Sequence, residues 1–360
     1  MTHELSPAAA EPEGTLVLCS GRCGSTIVAD LLAESPRTLP ILELLYAHFQ
    51  DGVPEGTVTG AEFWALLNRP WRALNTVVGL GRVPAEVRYR IEDPANPPTL
   101  SALLGFTLPA ISDDPEGLLG TLGAIVQEFP AGPVGAHYRR LFASLCELTG
   151  GERWVEKSAG SVLYIRELLP MFPQARIVHL VRDCVDVALS MSRHPMFQLA
   201  ELRHELLQRM GADPYAAGYT APDEAPDPEV ERLLPGRLDA AALDERAASE
   251  EPLIRLVVMQ AVMARHAEEA LAARPSDRVL RMRYEDLLDR PQEELARLAR
   301  FLELPDGEEW ARRSAPRIRR PQRTGTELEP RQRNLLKSVY RSVLNAPANA
   351  MDWTSAAHAF

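Results

Sequence analysis

Apolar residues gather in four short runs along this chain. After each run the pattern changes to a polar loop and then to apolar positions three or four residues apart. Runs of that length read as buried strands, and the spacing that follows reads as one face of a helix. The first run, Thr15-Leu16-Val17-Leu18-Cys19, leads through Ser20-Gly21-Arg22-Cys23-Gly24-Ser25-Thr26 to a stripe of Ile27, Val28, Leu31 and Leu32. The second, Trp154-Val155-Glu156, is short and leads into Lys157; the third, Ile177-Val178-His179-Leu180-Val181, ends at Arg182. The fourth spans Val279 to Tyr284 and precedes a helix striped by Leu288, Leu295, Leu298, Phe301 and Leu302, with Pro291 near its start. Strands alternating with helices predict an α/β fold, with a central, mostly parallel sheet flanked by helices on both faces.

Two stretches break the alternation. Residues 51–145 mix helical patches with turn-rich segments (PANPP, ISDDPEG, FPAGP) and predict a helical insertion. Residues 200–252 carry 13 acids against 5 arginines, with prolines at 214, 222, 226, 228, 235 and 252. That composition reads as a solvated loop, or alternatively as a lid over an acceptor site. The expected organisation is one domain over residues 14–345 with these two insertions, a disordered tail at 1–13 and a C-terminal tail at 346–360.

Composition narrows the classes. With 360 residues the chain can bury a full core without disulfides or structural metal. Its 39 Lys and Arg against 50 Asp and Glu leave a net charge of −11, which argues against a nucleic-acid or anionic-membrane binder. No apolar run approaches the roughly 18–20 residues of a membrane span. The opening MTHELSPAAAEPEG has neither the basic nor the apolar region of a secretory signal, so a cytoplasmic protein is expected. Cys19, Cys23, Cys146 and Cys184 are too scattered for a disulfide framework. Cys19 and Cys23 miss the Cys-x-x-Cys spacing, and no metal site is expected. The sequence does not read out oligomeric state, and a homo-oligomer stays open.

The loop after the first strand has the make-up of a phosphate cradle. Its glycines let backbone amides approach an anion at a helix N-terminus, while Arg22, Ser25 and Thr26 add side-chain donors. It is not a Walker A loop, because no Lys-[ST] pair closes it, and the glycine spacing of a dinucleotide fingerprint is absent. Taken alone, it also fits a plain connecting turn. Arg182 and Ser190, eight residues apart across a strand end and the next helix, can hold a second phosphate; alone, they fit an Arg182–Asp183 pair and a packing serine. From Arg312 to Arg333 eight arginines face two glutamates, a local charge that suits a small polyanion or a solvated loop.

Together these residues resemble the sulfotransferases that use 3′-phosphoadenosine 5′-phosphosulfate (PAPS), in their bacterial and tyrosylprotein-type branch. SGRCGST is similar to that branch's Arg-Ser-Gly-[ST]-[ST] loop, and VHLVRDCVDVALSM to its 3′-phosphate motif. WVEKSAGS resembles its W-x-E-K-[ST] strand end, and MRYEDLLDRP its R-Y-E-D-L segment. The four motifs fall in family order between residue 15 and about 305. The resemblance implies in-line transfer of a sulfonate from PAPS to a hydroxyl of a small-molecule or lipid acceptor, leaving adenosine 3′,5′-bisphosphate (PAP), without metal. Arg22 with the amides of Cys23, Gly24, Ser25 and Thr26 would bind the 5′-phosphosulfate, Lys157 would stabilise the leaving oxygen, and Arg182 with Ser190 would hold the 3′-phosphate. Tyr284, Arg319, Arg320 and Arg323 would close over the nucleotide.

The general base implied by the resemblance is Glu43 in PILELLYAHF, with His48 and His137 in reserve; His179, inside a strand, reads as structural. Without the resemblance, Glu43 reads as a surface helix residue. Two positions depart from the family: Cys23 replaces a loop serine and could make the loop oxidisable, and His194 stands where relatives sometimes carry Arg, with Arg193 beside it. The alternatives are a P-loop-type ATP-dependent phosphotransferase and a nucleotide-binding module without catalysis. The Ala/Arg/Pro-rich composition fits a high-GC bacterial source and specialised metabolism.

Overall fold

The structure, a computed structural model, describes residues 12–50, 52, 54–216, 219–220, 227–247, 251–320 and 328–346. The tails before residue 12 and after residue 346 lie outside the described residues, as does Arg323.

Seven strands occur among the described residues: β1 (Glu13–Leu18), β2 (Thr38–Leu42), β3 (Thr57–Val58), β4 (Gly132–Pro133), β5 (Arg153–Lys157), β6 (Arg176–Val181) and β7 (Val279–Arg283). Five form one sheet in the order β2-β5-β1-β6-β7, every neighbour parallel, and β3 and β4 form a separate antiparallel pair. The α/β reading therefore holds, with one strand more in the main sheet than the apolar runs indicated. That strand is β2, which the sequence hides because Thr-Leu-Pro-Ile-Leu carries a proline and runs straight into Glu43-Leu44-Leu45. Proline is tolerated there because β2 is an edge strand.

Alternation along the strands serves two cores. Leu16 and Leu18 of β1 join one cluster, with Leu141 and Phe142 of the helix Val134–Thr149 and Val257 of the helix Glu251–Leu271. Val17 and Cys19 face the other cluster, with Val28, Leu31 and Leu32 of the helix Ser25–Ala33 and Leu295 and Leu298 of the helix Pro291–Phe301. Both faces are covered, as parallel sheets require.

The stretch 51–145 is mainly helical, with helices Gly60–Leu67, Arg72–Gly79 and Pro115–Gln127 and a single π turn at Leu103–Thr107. Thr107 docks it on the sheet edge: its hydroxyl accepts from the Leu42 amide at 3.0 Å and donates to the Leu42 carbonyl at 3.1 Å. Where it is described, the acidic segment is not the solvated loop that its composition suggested. Its described part begins inside the helix Pro195–Met210, and Tyr215, Val230, Leu233 and Leu243 are buried, with the Tyr215 hydroxyl donating to the Leu233 carbonyl at 2.6 Å. Charge at its solvent face masked the apolar positions that fold it. No helix among the described residues is long and apolar enough to cross a membrane.

Candidate active site

The C-terminal ends of the parallel strands converge on one edge, the place where open α/β sheets bind ligands. Lys157, the last residue of β5, lies in register with Val17 of β1 and Leu42 of β2. Three predicted pieces thus meet: the loop after β1, Glu43 directly after β2, and Lys157.

The loop Ser20–Gly24 turns into the helix Ser25–Ala33 through Gly24, which sits at φ +87° with its Cα against the Tyr284 ring; a Cβ there would lie 2.4 Å from ring carbons. Conformation and space both require glycine. No side chain caps this helix N-terminus and no acid stands in its first turn, so its amides are left for an anion. Arg22 is held at φ +54°, a left-handed conformation unusual for a residue with a side chain. Its Nε donates to Ser190 Oγ at 3.2 Å, while Arg182 Nη1 donates to the Arg22 carbonyl at 3.0 Å and its guanidinium lies 4.8 Å above the Tyr284 ring. Arg22, Gly24, Arg182, Ser190 and Tyr284 therefore form one constellation.

Cys23 faces away from the mouth. It is buried in the core beside Cys19, so only its backbone can serve an anion. Its thiol donates to Cys19 and is pushed well above the ordinary thiol range by that bond and by burial. The more acidic thiol is Cys19, lowered to about 7 by the Cys23 hydrogen bond and, against the opposing effect of burial, by Lys157. The expectation of an oxidisable Cys23 meets a thiol with no exposure to solvent, packed in the core and out of reach of an oxidant at the mouth.

Glu43 is not on a helix surface. It precedes the helix Leu44–Phe49 in a left-handed conformation, φ +54°, and is only 5% exposed. Its amide donates to the Lys157 carbonyl at 2.8 Å, and its Oε2 accepts from the Ala159 amide at 2.8 Å. Its Oε1 pairs with Lys157 Nζ, which also donates to Thr26 Oγ1 at 3.0 Å. Burial alone would lower the Lys157 pKa, but Glu43 outweighs it and the net shift is upward, so Lys157 remains an ammonium. Behind the pair, Glu156 is fully buried, accepting from Ser158 and the Leu45 amide, and burial pushes its carboxyl up to about 8.

A cavity of about 90 Å³ opens over this group, with Arg22, Thr26, Glu43 and Lys157 on its donor side and Tyr46, Trp71, Phe106, Glu86, Phe197 and Met259 among the facing residues. A larger cavity, about 310 Å³, lies at the opposite end of the strands around Glu13, Arg153 and Arg176 and holds none of these residues.

Several expectations are not met. His48 and His137 do not line the site: His48 Nδ1 lies 2.9 Å from the Tyr138 hydroxyl, and His137 Nε2 lies 2.6 Å from the Val58 carbonyl, both in the packing of the insertion. Burial, with Arg69 adding to it, lowers His48 to about 3. His179 is buried in β6 as expected. Arg319 and Arg320 are exposed, Arg320 pairing with Asp289, and the arginine-rich stretch spreads into surface pairs such as Arg317–Glu34 and Arg312–Glu309. Glu86, which pairs with Arg22 and with His194 at 3.1 Å, was missed; it sits in a turn with no motif around it.

Residues 165–315 match the family model of the sulfotransferase domain. No curated protein matches the chain. Solved structures that resemble it include a sulfotransferase from Alicyclobacillus acidocaldarius, 14% identical over 96% of this chain and 100% of that one, with a TM-score of 0.39. Sulfotransferase STF9 from Mycobacterium avium is 15% identical over 94% and 77% of the two chains, with a TM-score of 0.46. Sulfotransferase STF1 from Mycobacterium tuberculosis H37Rv is 15% identical over 92% and 77%, with a TM-score of 0.44. The family match begins after Lys157 and takes in β6, Arg182, Ser190, β7 and Tyr284. Over that stretch, the chain is similar to the sulfotransferase domain.

Proposed function

We propose that the protein transfers a sulfonate group from PAPS to the hydroxyl of a small-molecule or lipid acceptor, with Glu43 as general base. The observation that carries this reading is the Glu43–Lys157–Thr26 chain of contacts, which ties a carboxylate, an ammonium and the anion cradle into one buried unit. Sulfonate transfer asks a protein chiefly to position two oxygens in line with sulfur and to stabilise charge, as phosphoryl transfer does. The acceptor oxygen forms a bond to sulfur as the bond from sulfur to the 5′-phosphate oxygen breaks. The hydroxyl proton passes to Glu43, and Lys157 stabilises the oxygen that leaves with PAP. Arg22 and the amides of residues 23–26 hold the 5′ end. Arg182, stacked on Tyr284, and Ser190 hold the 3′-phosphate.

The test is calorimetric titration of PAP and ADP in EDTA. Tight PAP binding with weak ADP binding is expected. Arg182→Ala should weaken PAP by roughly 1.5–3 kcal/mol, the value of a charged hydrogen bond. Equal binding of the two nucleotides, or binding only after magnesium is added, would favour an ATP-dependent phosphotransferase.

A further inference from the structure

The facing wall of the cavity is chemically one-sided. Tyr46, Trp71, Phe106, Phe197, Met259 and Met263 give it an apolar surface, and most of its polar side chains are spent on each other or on neighbours. Gln50 accepts from Trp71 Nε1 at 2.8 Å and donates to the Tyr46 hydroxyl at 3.0 Å. Arg203 donates to Asp213 at 2.7 and 2.9 Å. A polyhydroxylated sugar would find few open partners there, whereas an apolar skeleton with one hydroxyl would find packing.

Two carboxylates reach the cavity, and they differ. Glu43 is neutralised by buried Lys157. Glu86, contributed by the helical insertion, is shared between Arg22 and His194. Burial alone would raise its carboxyl, but the His194 hydrogen bond and the charges of His194 and Arg22 outweigh it and hold it below the ordinary carboxylate range. In the proposed function Arg22 turns its charge to the donor's anionic groups, which leaves the Glu86 carboxylate on the acceptor side with His194 as its one remaining side-chain partner, an imidazole that is a weaker and more exposed counter-charge than the buried Lys157 beside Glu43.

We propose that Glu86 is a specificity-determining residue: it admits acceptors whose apolar skeleton is neutral or cationic and turns away those that carry an anion on that skeleton. The inference rests on the function proposed above. A fixed charge in a partly dehydrated wall acts on a second charge a few ångströms away with a force that water would largely screen. It therefore sorts acceptors by sign while barely sensing neutral ones.

The experiment uses three phenols of matched size: 4-ethylphenol, tyramine and 4-hydroxyphenylacetate. Each is titrated by calorimetry into the PAP-saturated full chain and then assayed for turnover with PAPS. The unmodified protein should prefer tyramine over 4-hydroxyphenylacetate by about tenfold or more. Glu86→Gln should shrink that ratio about tenfold, and Glu86→Asp, which keeps the charge, should retain it. Ratios cancel any general effect of the substitution on Arg22. An unchanged ratio in Glu86→Gln with PAP binding intact would overturn this inference alone, as would failure of all three phenols to bind the PAP-saturated protein. Failure of the unmodified protein to bind PAP would overturn the donor reading and this inference with it.

Discussion

At the residue scale, the least obvious arrangement is that of Glu43. A glutamate in the left-handed region costs on the order of 1–3 kcal/mol, and it persists only where its surroundings over-determine it. Three contacts do so here: its amide to the Lys157 carbonyl, its Oε2 to the Ala159 amide, and its Oε1 to Lys157 Nζ. That conformation turns the carboxylate back over the strand ends instead of outward along a helix. Local sequence does not disclose this, since Leu42-Glu43-Leu44-Leu45 reads as helix; only the family resemblance pointed to the residue. Glu43→Gln keeps the shape and removes the base. Turnover should fall roughly 10²–10⁴-fold while PAP binding stays within a small factor of the original. Kinetics with PAPS beside calorimetry with PAP separate the two effects, and retained turnover would show that the proton goes elsewhere.

At the element scale, the donor side is written in contiguous sequence and the acceptor side is not. The loop after β1 and the ends of β5 and β6 each carry a short motif, because a strand end must place backbone amides or one charged side chain at a fixed spot. The acceptor wall comes from Trp71 and Phe106 in the insertion, Phe197 in the helix Pro195–Met210 and Met259 in the helix Glu251–Leu271. Those residues look like any core residue until folding brings them together, and Glu86 lies in a turn with no pattern to mark it. The cradle loop offers a direct check of how tightly its shape is specified. Gly24 and Gly81 both have positive φ, +87° and +72°, but a Cβ on Gly24 would strike Tyr284 whereas one on Gly81 meets nothing within 4 Å. Alanine at Gly81 should therefore cost only the left-handed penalty, about 1–2 kcal/mol. Alanine at Gly24 should cost roughly 1–3 kcal/mol more through overpacking and should also weaken PAP binding. Urea midpoints of the two variants make the comparison, and equal losses would mean that the Tyr284 ring yields freely.

At the scale of the whole molecule, insertions and sheet are joined through buried polar groups whose proton balance sets stability. His48, in the packing of the insertion, and His179, in β6, are lowered to about 3 and about 4, both chiefly by burial. The folded chain thus refuses protons that the unfolded chain accepts near pH 6.5, and stability falls as pH drops from there. Glu156 works in the opposite direction: burial raises it to about 8, so the folded chain keeps a proton that the unfolded chain releases near pH 4.5. Its contribution improves as pH falls through the same window. Each proton is worth about 1.4 kcal/mol per pH unit, so two histidines against one glutamate leave a net loss of roughly one proton's worth between pH 6.5 and 5. Partly buried His204 and His266, also lowered by burial, add smaller losses in the same direction. Glu156→Gln removes the compensating group without removing the side chain's volume. The fall in urea-derived stability from pH 6.5 to pH 5 should then roughly double, to about 4 kcal/mol. If the variant and the unmodified protein lose stability at the same rate over that window, Glu156 is ionised in the fold, and the unit behind Lys157 carries a buried negative charge rather than a neutral acid.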